Sequence, residues 1–254
     1  MKGFAAFAEK ELLEQLRTWR ILILGAVLLL FGMTSPLLAK MTPDLMKNLS
    51  VPGIVITLPK PAAADAWAQF FKNMGQMGLV VLLLVFGTSL PQEISRGTVL
   101  IPLSKGLSRV SVILAKYLTQ LFVWTAGYAL AAAVCCGYTQ YLFGRFGIPN
   151  LFFALFCFWL FGAFVLALLL CAGAAVPGNY GGLLLAAAVL CILLALGAFP
   201  GLQKWNPVSL ASQNAAMTAK STLSPDFAVS VRVTIFAAAV CLLLGGLLFR
   251  RKNL

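Results

Sequence analysis

Few side chains in this 254-residue chain are suited to chemistry: seven Asp or Glu, six Cys and no His. Without His there is no Ser-His or Cys-His nucleophile pair and none of the usual zinc ligand sets. The cysteines (Cys135, Cys136, Cys157, Cys171, Cys191 and Cys241) lie within or at the ends of apolar runs, and none has a CxxC spacing. They read as small apolar packing residues. Glu93 is the only carboxylate between Asp65 and Asp226, so no second acid stands near it in sequence to form an acid-base pair or proton relay. No G-x-x-x-x-G-K-[ST] occurs; in "PLSKGLS" (102–108) the Lys precedes the Gly, which cannot form a phosphate loop. The expectation is a chain with no catalytic, cofactor-binding or metal site of its own. If ATP drives it, another chain binds the ATP.

The composition says where such a chain lives. It is 61% apolar and 10% charged, with a mean hydropathy of +0.96, whereas soluble domains run at about 45–50% apolar and about 25% charged. The apolar runs are long and continuous rather than alternating in short pieces, which excludes a membrane barrel and leaves an all-α integral membrane protein. Spans are expected at 21–39, 76–91, 113–137, 151–173, 181–199 and 229–249, giving six transmembrane helices in one domain over 1–254, with no soluble domain. Residues 4–19 read as an interfacial amphipathic helix. Phe4, Ala8, Leu12, Leu16 and Trp19 form its apolar stripe, opposite Lys10, Glu14 and Arg17. The segment 40–75, with Pro43, Pro52, Pro59 and Pro61, is polar; Asp65, Trp67, Phe70 and Phe71 suggest a short helix leading into span two.

The net charge of +12 does not imply nucleic acid, because the bases cluster at the ends of the apolar runs. Dense groups (Lys2, Lys10, Arg17 and Arg20; Arg96, Lys105, Arg109 and Lys116; Arg250, Arg251 and Lys252) fall on one side. The other side carries Lys40, Lys47, Lys60, Lys72, Arg145, Lys204 and Lys220 over longer segments. The positive-inside rule then puts both termini in the cytoplasm. Arg232, at the edge of span six, is expected to snorkel to the interface.

Glu93 therefore falls in a cytoplasmic loop, 92–112. Its spacing from Arg96 lets the two pair on one helical face. Gly97, Pro102 and Gly106 break the loop into short pieces, and the apolar "VLIPL" suits a membrane surface or a groove on another protein. Arg109 and Lys116 mark the start of span three.

Three motifs carry a resemblance. "EKELLEQLRTWR" (9–20) matches a K-E-x-x-x-x-x-R opening before the first span. The loop reads E-x-x-x-G-T…L-S-R…K at Glu93, Gly97, Thr98, Leu107, Ser108, Arg109 and Lys116. A P…N-P segment, Pro200, Asn206 and Pro207, precedes the last span. With six spans between them, these motifs resemble the ABC-2-type permease, the membrane subunit of a type-2 ABC exporter. Gly106 stands where that family often has Pro, and Leu100 where an acid is frequent.

The resemblance implies a cytoplasmic-membrane subunit that moves a substrate using ATP hydrolysed elsewhere. It makes 1–20 an elbow helix carrying Glu11, Leu12, Arg17 and Trp19. It makes 92–112 a coupling loop, with Glu93, Arg96, Gly97, Thr98, Ser108, Arg109 and Lys116, and 200–228 an outer re-entrant segment around Pro200, Asn206 and Pro207. The implied partners are ABC ATPase subunits holding ATP and Mg, a second permease subunit (homodimer or heterodimer) and membrane lipid. The alternative is a non-transporting sensor or immunity module coupled to the same kind of ATPase.

Overall fold

A computed structural model describes residues 2–48, 61–145, 147–219 and 225–251; Pro52, Pro59, Lys60, Lys220 and Lys252 lie outside the described residues. Every described element is helical. Helix α1 (Lys2–Arg17) is followed by α2 (Arg20–Asn48). A second run comprises α3 (Ala63–Asn73), a π turn (Met74–Gly78), α4 (Leu79–Phe86), α5 (Ser89–Ser95) and the short α6 (Leu100–Ser104). Then come α7 (Arg109–Phe143), α8 (Leu151–Ala175) and α9 (Gly181–Gly197). A 3-10 turn (Pro200–Trp205), α10 (Ser209–Ser212), α11 (Asn214–Ala219) and α12 (Pro225–Arg251) complete the chain.

Five of these stretches are long and apolar enough to cross a membrane, and α9 is a sixth, shorter apolar helix. Helix α8 is apolar on all sides, the signature of a helix surrounded by protein. Residues 160–170 are all buried, with α12, α9 and α7 packed around them. A second layer sets α2 against α7 and α3. The α8–α9 hairpin closes tightly: a Cβ on Gly182 would lie 2.5 Å from the Gly173 Cα, so the close approach requires glycine.

Several expected boundaries move. Helix α2 continues past Pro43, and α7 is longer at both ends than 113–137. Span two takes in the expected lead-in helix, because Ala63–Ser95 is one apolar run. The π turn passes it through without a break, the Leu79 N–H bonding the Met74 carbonyl. Asp65 starts the run by accepting from the Ala62 N–H at 2.9 Å. Trp67, Phe70 and Phe71 turn inward; Phe70 meets Tyr128 and Phe71 meets Phe158, with Trp67 packed on both phenylalanines.

The two ends of the chain come together. Phe7 of α1, Val99, Val112 of α7 and Phe249 of α12 share one buried cluster. The N-terminal helix, the 96–108 segment and the end of α12 therefore form one end of the bundle.

Candidate functional site

At this end α1 shows a different face from the expected one. Phe7, Glu11 and Gln15, four residues apart, are buried, whereas Leu16 and Trp19 of the expected apolar stripe are exposed, Trp19 at 64%. The reason is Glu11: its carboxylate accepts from Lys116 Nζ of α7 at 2.7 Å, which turns the polar edge of the helix inward and leaves Leu13, Leu16 and Trp19 exposed. Leu12 is half-buried and Arg17 exposed. Trp19 sits at φ 60 and turns the chain from α1 into α2, its N–H bonding the Leu16 carbonyl at 3.1 Å.

Glu93 does not pair with Arg96. Its carboxylate contacts Lys116 Nζ at 2.8 Å and Lys10 Nζ at 3.0 Å, and Lys10 also meets Glu14 at 2.6 Å. A local i,i+3 pair loses here because Lys116 is 1% exposed, and a buried ammonium must be matched by carboxylates. Lys116 is thus not a charge at the mouth of span three but the buried centre of a network that joins α1, α5 and α7.

The carboxylate oxygens of Glu11, Glu14 and Glu93 lie within 4.8 Å of one another, a spacing that would suit a cation, and the two lysines already supply the countercharge. Three acids face two bases. Burial raises the pKa of Glu11 despite the Lys116 charge beside it. At Lys10 burial works to lower the pKa, but Glu14, Glu11 and Glu93 together outweigh it and raise it.

The loop residues divide into structural and exposed groups. Gly97 (φ 69) and Gly106 (φ 85) form the corners on either side of α6, a backbone region that glycine enters freely. Ser108 caps α7, its hydroxyl accepting from the Ser111 N–H at 3.1 Å. Arg109 donates to the Phe249 and Arg250 carbonyls at 3.0 and 2.9 Å, placing a cation on the C-terminal end of α12. Thr98 Oγ1 reaches the Glu93 carbonyl at 3.4 Å. Arg20 donates to Gln92 at 3.2 Å, tying α2 to the same loop. Arg96, Leu100, Ile101 and Lys105 are left outward-facing.

The opposite end is organised by Asn206. Its Nδ2 donates to the Leu193 carbonyl at 2.6 Å and its Oδ1 accepts from the Val208 N–H at 3.0 Å. Ser209 bonds the Asn206 carbonyl at 2.7 Å and Ser230 at 3.1 Å, so α9, the 3-10 turn and α12 meet there beside the buried Pro207. Pro200 opens the 3-10 turn. Among the other residues, Arg232 is exposed and bonds the Ala228 carbonyl at 3.2 Å.

The family model for the ABC-2 family transporter protein matches residues 5–254. The chain belongs to this ABC-2 family. The uncharacterized transmembrane protein YxlG of Bacillus subtilis (strain 168) is 22% identical over 220 residues, covering 84% of each chain. The chain is thus a multi-pass membrane protein of permease type, and ABC-2 membrane proteins generally partner with ABC ATPases. Sequence reasoning assigned Glu93 and Lys116 to the coupling loop and Glu11 to the elbow helix, whereas the fold joins all three in one network. It missed Phe7, Gln92 and Phe249; the only sequence trace of the last is its place beside Arg250 and Arg251.

Proposed function

We propose that this ABC-2 chain is the membrane subunit of an ATP-driven exporter in the cytoplasmic membrane. Both termini and the 92–112 loop face the cytoplasm, and a separate ABC ATPase hydrolyses ATP with Mg. Two copies, or this chain and a similar one, assemble with two ATPase subunits. One observation carries the reading: the loop is fastened to α1 and α7 by the buried Glu93–Lys116–Glu11 bridge, while α6 leaves Leu100 and Ile101 exposed. A partner holding α6 would move the elbow helix and a membrane span together with it. Glu93, at 6% exposure, acts on this reading inside the permease rather than by touching the ATPase.

The test is co-expression with a candidate ABC ATPase and reconstitution in vesicles. Ile101→Glu is expected to abolish co-purification. Glu93→Gln is expected to preserve co-purification but uncouple ATP hydrolysis from substrate movement. Unchanged assembly and coupling in both variants would sink the assignment, and ATP hydrolysis without flux in the parent would favour the sensor alternative.

A further inference from the structure

Helix α12 meets α8 at a glycine: a Cβ on Gly245 would lie 3.2 Å from the Cα of Cys171 and 3.7 Å from its Cβ. Small residues let two helix backbones approach in this way. Cys241 stands one turn before Gly245 and so shares the face of α12 that looks at α8. Both helices run towards the α1 end of the bundle, where Leu170, Ala174 and Phe249 join the cluster around Phe7, and a helical side chain leans back towards its own N-terminus. The Cys171 thiol therefore leans from the level of Gly245 towards Cys241, and the two thiols lie within hydrogen-bonding reach of each other. Both residues are free thiols and half-buried, whereas Cys135 and Cys157 are buried and Cys136 and Cys191 exposed.

The neighbouring contacts decide what a link here would join. Gly246 faces Val110 of α7, a Cβ there lying 3.5 Å from the valine Cγ2, and Arg109 holds the Phe249 and Arg250 carbonyls. The end of α12 is thus fastened to the start of α7. On α8, two residues past Cys171, Gly173 lies against the Pro91 ring of α5, and Glu93 of α5 grips Lys116 of α7. A bond from Cys171 to Cys241 would close the circuit α7–α12–α8–α5.

We propose that Cys171 and Cys241 form a disulfide when a peroxide oxidant reaches them, stapling α12, and α7 with it, to α8. One sulfur attacks a peroxide oxygen and breaks the O–O bond, giving a sulfenic acid and one water. The other sulfur then attacks the sulfenic sulfur; the S–S bond forms, and the hydroxyl leaves with the second thiol's proton as another water. Two thiols lose two electrons, and one hydrogen peroxide becomes two waters. Thiols on the cytoplasmic side are kept reduced, so the dithiol is the resting form and the disulfide a transient one, reversed by exchange with a dithiol. As a covalent site the pair stands without the exporter reading. As a brake, stopping α7 and α12 from sliding on α8, it rests on that reading.

The experiment treats the full chain in membrane vesicles with hydrogen peroxide, blocks remaining thiols with a maleimide, and maps the unreduced digest by mass spectrometry. The expected product is a 171–241 linked peptide pair, two hydrogens lighter than its parts, which dithiothreitol removes. It should persist when the other four cysteines are changed to Ala and vanish in Cys241→Ala. Maleimide on Cys171 and Cys241 after oxidation, sulfinic acids at both, or links only between two copies would each overturn the proposal; the parent chain alone gives this result, so no variant has to fold. In vesicles that also hold the ABC ATPase, ATP-driven flux should fall in proportion to the linked fraction and return with dithiothreitol, while Cys241→Ala keeps its flux under peroxide. Undiminished flux in fully linked protein overturns the brake. A linked pair in a parent that moves no substrate would leave the site standing and remove the exporter reading; flux in a parent that forms no link would do the reverse.

Discussion

Replacing Lys116 with Met tests whether the α1–α5–α7 network holds its end of the bundle together. The ammonium is 1% exposed and lies 2.7 Å from Glu11 and 2.8 Å from Glu93. At an effective dielectric constant of 20, each contact is worth roughly 6 kcal/mol of gross attraction. Most of that offsets the desolvation of three charges, so the gross figure is not the expected loss. Removing one partner of a buried pair costs about 3–5 kcal/mol, because the remaining charges stay buried without a match. Here two carboxylates would be left to Lys10 alone, which is half exposed. Lys10→Met, by contrast, removes contacts on the wet side and should cost about 1 kcal/mol or less. Denaturant unfolding in micelles gives both numbers. Adding Glu11→Gln to Lys116→Met should restore part of the loss, because it removes one stranded charge. If Lys116→Met costs no more than Lys10→Met, or Glu11→Gln makes it worse, the buried network is not what fastens α1.

Three further outcomes follow from the same geometry. Asn206→Ala strands the buried Val208 N–H and removes the side-chain bond that ties the turn to the Leu193 carbonyl; it should cost about 1–3 kcal/mol, read as faster hydrogen exchange over 193–212. Gln120, one turn beyond Lys116 and 1% exposed, has both amide atoms unpartnered among the described residues. Gln120→Leu should therefore raise unfolding stability, by about 1 kcal/mol or more; a loss would show that a bonded partner holds the amide. The raised pKa of Lys10 stabilises the fold fully below the unfolded-state lysine pKa of about 10.4 and is lost as pH rises through the higher folded value. Melting curves between neutral and strongly alkaline pH should fall less steeply in Lys10→Met than in the parent.

The spans were legible because a chain this poor in charge can bury so many long apolar runs only by crossing a bilayer. Their ends were not. The first span was expected to end at 39, yet α2 runs on through Pro43, and the aromatic lead-in before span two is absorbed because Phe70 and Phe71 find Tyr128 and Phe158 on other helices. Glu93 shows the same limit at the site. Within its own segment Arg96 is the obvious base, three residues away, whereas the actual partners stand 83 residues before, at Lys10, and on α7 at Lys116. An acid's partner is chosen by burial, and burial is set by which helices meet. The apolar stripe of α1 failed for that reason too: Glu11 and Gln15 look solvent-facing until α7 brings Lys116 and Thr119 against them.

The same contacts indicate how the two ends of the molecule can be linked. Lys116 and Trp124 lie two turns apart on α7. The Trp124 ring sits where a Cβ on Gly162 of α8 would be, and its Nε1 bonds the Trp159 carbonyl at 3.1 Å. Next to Gly162 in sequence is Phe161, which lines a cleft between α4 and α9. A shift of α7 cannot be absorbed at Trp124, because close-packed interiors transmit displacement rather than compress. The helix must slide on α8 or carry it along, and either motion changes the wall that Phe161 gives to the cleft. On the proposed reading, Glu93 therefore needs neither to move a proton nor to meet the ATPase. It needs only to hold Lys116 firmly enough that pulling on α6 turns α7, which is why a lone acid in an apolar chain is placed where two lysines can grip it.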